Sequence, residues 1–245
     1  MDMGKVRVRK VIKAGLFILP AALLLAVGCS FVFPRVSDLE KQNPQLTSLM
    51  KFRIKQARAR GRSETINQTW VPFSKISPHL VYAVIIAEDD KFWGHRGFDL
   101  EAIRTALEKN LKKKTWRYGG STITQQLAKN LYLSPSKNPL RKLREFLLAW
   151  RLERALTKKR ILELYLNVVE WGDGIYGAEA ASRQYYGKSA AGLDPIEAAH
   201  LAVVLPNPRR YNPLGGTKYI ENQASKIHSI MVKRGLIRSA DGITN

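Results

Sequence analysis

The chain is nearly without cysteine. Cys29 is the only one among 245 residues, so neither an intrachain disulfide nor a cysteine-rich metal site can form. The four histidines, His79, His95, His200 and His228, show no metal-ligand spacing of the HExxH kind. Acid is scarce too: 20 Asp and Glu stand against 41 Lys and Arg. The net charge of +21 calls for an anionic partner, whether nucleic acid, a phospholipid surface or a phosphorylated substrate. Strand-like alternation is rare, and no internal repeat or low-complexity block is present. What is there is globular in composition, 45% hydrophobic, in a length that suits one sizeable core with appendages.

The amino end narrows the choice of partner. Ala14 to Phe33 carries no charge and follows Lys5, Arg7, Arg9, Lys10 and Lys13, opposed only by Asp2. At about 1.5 Å rise per residue this run reaches roughly 30 Å, the thickness of a bilayer core. The positive-inside rule then keeps residues 1–13 in the cytoplasm and exports the rest. The run is long for a cleaved signal peptide and no clear small-x-small site follows it. Ala26-Val27-Gly28-Cys29 has a faint lipoprotein-box look, yet Phe31-Val32-Phe33 continues the apolar run past the cysteine. Residues 14–33 are therefore read as an uncleaved single-pass anchor, and export argues against nucleic acid. Residues 34–69 read as a tether in which Leu46, Leu49, Met50 and Ile54 recur at helical spacing, with Lys51, Arg53, Lys55, Arg58, Arg60 and Arg62 around them. That face could lie on anionic headgroups or simply in solvent.

A compact domain is expected over 70–235, with 236–245 as a tail. Ser77-Pro78 is a helix start, and the following Leu80 to Ala87 is apolar nearly all round, so this helix should be central. Asp99 caps a second candidate helix, with Leu100, Ile103, Leu107 and Leu111 opposite Lys109, Lys112, Lys113 and Lys114. Gly119-Gly120 breaks the chain, and Thr122-x-x-Gln125 has capping-box form. Further helices are predicted over 141–150, 157–167, 195–204 and about 218–233. The class is mostly α.

Glu88 follows the apolar helix, where burial and the negative end of the helix dipole both raise a carboxyl pKa and so suit a general base. Asp89 is beside it, and Phe92, Trp93, Gly94, His95 and Gly97 form a packed corner in which His95 could orient the acid. Gln125 and Gln126 precede Lys129 by four and three residues and can share its helical face, with Ser121 just before them. Lys137, Arg141 and Lys142 lead to Glu145, a basic clamp containing a second carboxylate. Such a clamp suits a pyrophosphate leaving group, which needs positive charge near its oxygens rather than a strong acid. Ser48-x-x-Lys51 and Ser134-x-x-Lys137 match SxxK without a KTG, and Gly187-Lys188-Ser189 lacks the first P-loop glycine, Ser182 standing in its place; all three are taken as chance.

Together these motifs resemble those of the family-51 glycosyltransferases, in particular the monofunctional peptidoglycan transglycosylases. EDxxFxxHxG spans 88–97, GxSTITQQ 119–126, RKxxE 141–145 and KxxILxxYLN 158–167, followed by Gly174-Ile175-Tyr176-Gly177 and LPNPxxYNP at 205–213. No acyltransferase domain follows in this sequence, unlike the bifunctional enzymes. The resemblance implies a lysozyme-like, two-lobed domain on one transmembrane helix at the outer face of the cytoplasmic membrane. It implies inverting polymerisation of lipid II into β-1,4 glycan with release of undecaprenyl pyrophosphate. Glu88 matches the general base, Glu145 the second glutamate and Lys129 a pyrophosphate-binding lysine; Lys137 stands where some relatives carry arginine. Ser121, Gln125, Gln126, Arg141 and Lys142, with Asp89, Phe92 and His95, complete the expected substrate site. No cofactor is required on this reading, with a magnesium or manganese ion on the pyrophosphate left open. Partners would be lipid II, the lipid-linked glycan, phospholipid and other cell-wall synthesis or division proteins. A lysozyme-like glycan-cleaving enzyme and a non-enzymatic membrane- or wall-binding scaffold are the alternatives.

Overall fold

The computed structural model describes residues 34–63, 65–115, 119–135 and 139–238. The expected anchor at 14–33 lies outside them, and among the described residues no helix is long and apolar enough to cross a membrane. The described chain is mostly helical, with α1 Ser48–Arg58, α2 Pro78–Glu88, α3 Leu100–Lys112, α4 Ile123–Tyr132, α5 Pro139–Ala155, α6 Lys158–Val168, α7 Ala178–Tyr186, α8 Pro195–Val204 and α9 Lys218–Lys233.

The core forms where helices are apolar on more than one side. In α2, Leu80, Ala83 and Val84 are fully buried, packed against α8 and α9. Each such Leu or Val stabilises the fold by about 1.5–3 kcal/mol. Ser77 accepts a hydrogen bond from His79 N–H, and Pro78 opens the helix. On the other side of the core, α4 packs against α1, α5 and α6. A three-stranded sheet of two- and three-residue strands, β1 Asn67–Gln68, β2 Glu170–Gly172 and β3 Ile175–Tyr176, is ordered β1-β3-β2. Here β1 runs parallel to β3, and β2 antiparallel to it with Glu170 opposite Tyr176.

The segment expected to be a tether is instead packed from its first described residues. Val36, Leu39 and Met50 are buried, and α1 lies on α4. Arg151 donates to the Pro34 carbonyl at 2.7 Å and Arg160 to the Leu39 carbonyl at 2.8 Å. Of the expected stripe Met50 is fully buried, Leu49 and Ile54 are half-buried and Leu46 is exposed, and Arg53 reaches across to Glu170 at 2.9 Å. Two further elements went unpredicted for physical reasons. Strands this short leave too little alternation to detect. The helix α7 has no side-chain cap, its N-cap position being Gly177 at φ +84°. Helix α5 is longer than expected because nothing stops it at Trp150; Leu152 is fully buried and Thr157 caps the next helix.

By contrast α3 buries only Ala106 and Asn110, and leaves Leu100, Leu107 and Leu111 at 77%, 47% and 64% exposure. The loop from α3 to α4 returns so close to α3 that a Cβ on Gly120 would sit 2.8 Å from the Ile103 Cα. Only glycine fits there.

Candidate active site

The site is assembled around the N-terminus of α4. Thr122 caps that helix by accepting from Gln125 N–H, and the Gln125 side-chain oxygen accepts in return from Thr122 N–H at 3.0 Å. Gln125 is therefore 1% exposed; the capping box uses it. Of the expected glutamine pair only Gln126 faces the site. Asp89, just past the end of α2, accepts from Ile123 N–H at 2.9 Å through one oxygen and from His95 through the other, also at 2.9 Å. Gly97 N–H donates to His95 Nδ1, so the imidazole proton is on Nε2 and points to Asp89. His95 thus steadies Asp89 rather than Glu88. Phe92 is fully buried, with the Lys158 ammonium 4.4 Å over its ring, and is core rather than substrate surface. Gly97 closes the corner at φ +92°, where a Cβ would press on the Glu153 side chain at 3.2 Å.

Glu88 ends α2. As a residue it is half-buried and opens on a cleft of about 540 Å³ shared with Asp89, Lys91, Asp99, Ser121 and Thr122. Its carboxyl accepts from the Gln126 amide at 2.6 Å. Desolvation raises its pKa above the ordinary glutamate value; the Gln126 hydrogen bond and the Lys129 charge oppose that rise, and Asp89 adds to it. The other end of the Gln126 amide accepts from the hydroxyl of Tyr165, 3.1 Å away on α6. Tyr165 is fully buried. Nothing local in the sequence marks Tyr165 beyond its place within KxxILxxYLN.

Gln126 also lines a second cleft, of about 380 Å³, together with Arg53, Lys129, Arg141 and Glu170. The Glu88–Gln126 hydrogen bond therefore links the two clefts. Lys129 is half-buried, and desolvation lowers its pKa. Glu145 and Glu88 oppose that fall, while Arg141 and Lys142 reinforce it. Glu145, 3% exposed on α5, receives Arg141 at 3.1 Å and a close contact from Lys142. Lys142 also reaches Ser121 Oγ at 3.1 Å and stands 5.5 Å over the Phe146 ring. The structure thus gathers Glu88, Gln126, Lys129, Arg141, Lys142, Glu145 and Ser121 around α4. Lys137 lies outside the described residues. Among the described residues, no group of three or more His, Cys, Asp or Glu side chains is placed to hold a metal ion.

This is the arrangement of a desolvated acid at the edge of a strongly cationic cleft: it can take a proton on one side and hold an oxyanion on the other. Comparison with known proteins agrees in kind. The family model described as Transglycosylase matches residues 55–232. The chain is 50% identical over 197 residues to the biosynthetic peptidoglycan transglycosylase of Azoarcus sp. (strain BH72), which covers 80% of this chain and 85% of that protein. It is 48% identical over 219 residues to the protein of the same name from Aromatoleum aromaticum, covering 89% and 95%. The likeness to that of Dechloromonas aromatica is 52% over 170 residues, covering 69% and 74%. With most of its length matched in both ways, the chain belongs to the transglycosylase family.

Proposed function

We propose that the protein is a peptidoglycan glycosyltransferase that polymerises lipid II into β-1,4-linked glycan at the outer face of the cytoplasmic membrane, held there by residues 14–33. The observation carrying this reading is Glu88 itself, a desolvated carboxyl held by one amide and facing the Lys129 charge, with Arg141 and Lys142 gathered at Glu145 on the far side of Lys129. The acceptor sugar 4-hydroxyl gives its proton to Glu88 and attacks the donor anomeric carbon from the face opposite the pyrophosphate, which inverts the α link to β. The lipid pyrophosphate departs into the cationic cleft, where Lys129 and Arg141 stabilise its oxygens; Glu145 spaces and orients those cations. Any divalent cation would travel on the pyrophosphate, and the protein's own ammonium and guanidinium groups already supply positive charge there.

A lysozyme-like body with a second, membrane-facing lobe belongs to the same reading, α3 with its exposed leucines being the part that suits a lipid surface. The deciding experiment gives lipid II to the purified full chain in detergent and measures glycan length, wild type beside Glu88→Gln. Polymer from wild type and none from the variant supports the proposal. Equal polymer from both removes Glu88 as base, and release of muropeptides from intact wall without lipid II consumption replaces polymerisation by cleavage.

A further inference from the structure

We infer that Tyr165 is a positioning residue for the base: its buried hydroxyl holds the Gln126 amide with the nitrogen turned toward Glu88. This rests on the reading of Glu88 as base. An amide side chain has a donor end and an acceptor end, and only the donor end suits a carboxylate. Gln126 lines an open cleft, so its side chain has room to swing away from Glu88. What opposes the swing is the 3.1 Å hydrogen bond from Tyr165 to the amide oxygen. That bond also polarises the amide, which strengthens its N–H donation at the other end. Tyr165 is 0% exposed and is set rigidly in α6 between Leu164 and Leu166, both fully buried, so its hydroxyl is a fixed point.

The charged and titratable groups that bear on this carboxyl are Asp89 beside it, Lys129 on α4, Tyr165 on α6 and Tyr219 on α9. Glu145, Arg141 and Lys142 on α5 bear on Lys129. Replacing Tyr165 by phenylalanine leaves every other one of these in place and keeps the ring in the core. It removes only the hydroxyl that anchors the amide.

The test follows the ¹³C resonance of the Glu88 carboxyl through a pH titration in the full chain in detergent micelles, identified by its loss in Glu88→Gln. It is run for wild type, Tyr165→Phe, Gln126→Ala and the double variant, alongside kcat and KM on lipid II. Tyr165→Phe is expected to move the Glu88 titration upward by roughly half a unit, about what one weakened hydrogen bond to a charged group supplies. With it, the acid limb of kcat moves to higher pH and kcat near neutrality falls roughly tenfold, KM staying within about twofold. In the Gln126→Ala background the tyrosine substitution should add nothing. A Glu88 titration unchanged by Tyr165→Phe overturns the inference, as does a full shift that persists without Gln126. If wild type fails to consume lipid II while the titrations still couple through Gln126, the function reading falls and the positioning role stands.

Discussion

Glu88 and Glu145 are the same residue type facing the same helix, α4, and their surroundings are opposite. Glu88 has one neutral amide donor and little solvent, so burial dominates and its pKa rises. Glu145 is 3% exposed with an arginine and a lysine on its two oxygens. On the proposed reading the first is a carboxyl kept under-compensated, as a general base requires; the second is part of a charge cluster whose surplus is positive. Between them stands Lys129, whose charge is felt at both ends. The difference teaches that reactivity here is created by withholding partners at one acid and supplying them at the other.

The largest expected effect comes from breaking the under-compensated side. Glu88→Gln should lower kcat for polymerisation by roughly 10³-fold, within the range that general-base removal spans. The same substitution should stabilise the fold. A carboxyl whose folded-state pKa exceeds its unfolded value binds more protons when folded. Its contribution therefore falls as pH rises from the ordinary glutamate range through the raised value. Above that window the charged Glu88 is a net cost, which glutamine removes. Thermal unfolding at neutral pH should show a higher Tm for Glu88→Gln, read at roughly 2–4 °C per kcal/mol for a domain of this size, with the gain vanishing in acid. An activity limb at ordinary glutamate pH, or a lowered Tm in the variant, would sink this side of the comparison.

Next in size is the compensated side, where the two effects should have the same sign. Glu145→Gln leaves Arg141, Lys142 and Lys129 without their shared anion. Stability should fall by about 1–3 kcal/mol, and activity by roughly 10²-fold as the cations splay. Lys129→Met should cost a similar factor in activity while leaving Tm near that of wild type or above it, because it removes a desolvated ammonium. Chain-length assays and melting curves on the same preparations separate the two variants.

Much of the local structure could be read from the chain because its cues are local. Ser77-Pro78, Asp99, Thr122, Thr157 and Asp194 each cap the helix that follows through their own side chains. The apolar stretch of α2 is central because no side of it is polar. What escaped were pairings set by tertiary contact. Gln126 meets Glu88 across 38 positions and Tyr165 across 39, and no spacing rule reports such a bond. The Gln125–Gln126 pair looked like two equivalent cleft residues, although the capping-box pattern already held one of them. Phe92 and His95 were read with the substrate because they sit in the acid's motif. Burial turns the first into core, and Asp89 engages the second.

The smallest expected effect sits two residues from Glu88 and has the opposite sign of titration. Asp90 forms a bidentate pair with Arg234 at the end of α9, at 2.5 and 2.9 Å, and both side chains are nearly half exposed. The Arg234 hydrogen bond leads in lowering the Asp90 pKa; burial opposes it, and the charges of Arg234 and Lys91 add smaller contributions in the same direction as the hydrogen bond. A depressed carboxyl contributes stability that is present above the ordinary aspartate range and is lost as pH falls through the lowered value. Solvent screens an exposed pair, so Arg234→Gln should cost only about 0.2–1 kcal/mol, and less in high salt. The pair does close the loop after α2 onto α9. If that closure aligns Glu88, the variant will lose kcat well beyond twofold while its Tm barely moves; if the pair is only surface electrostatics, the small Tm loss will disappear in salt and kcat will hold. Melting curves at low and high salt, beside the polymerisation rate, tell these apart. The weak partner of the corner is expected to behave in the second way, because Asp89, Ile123 and His95 already fix the turn from inside.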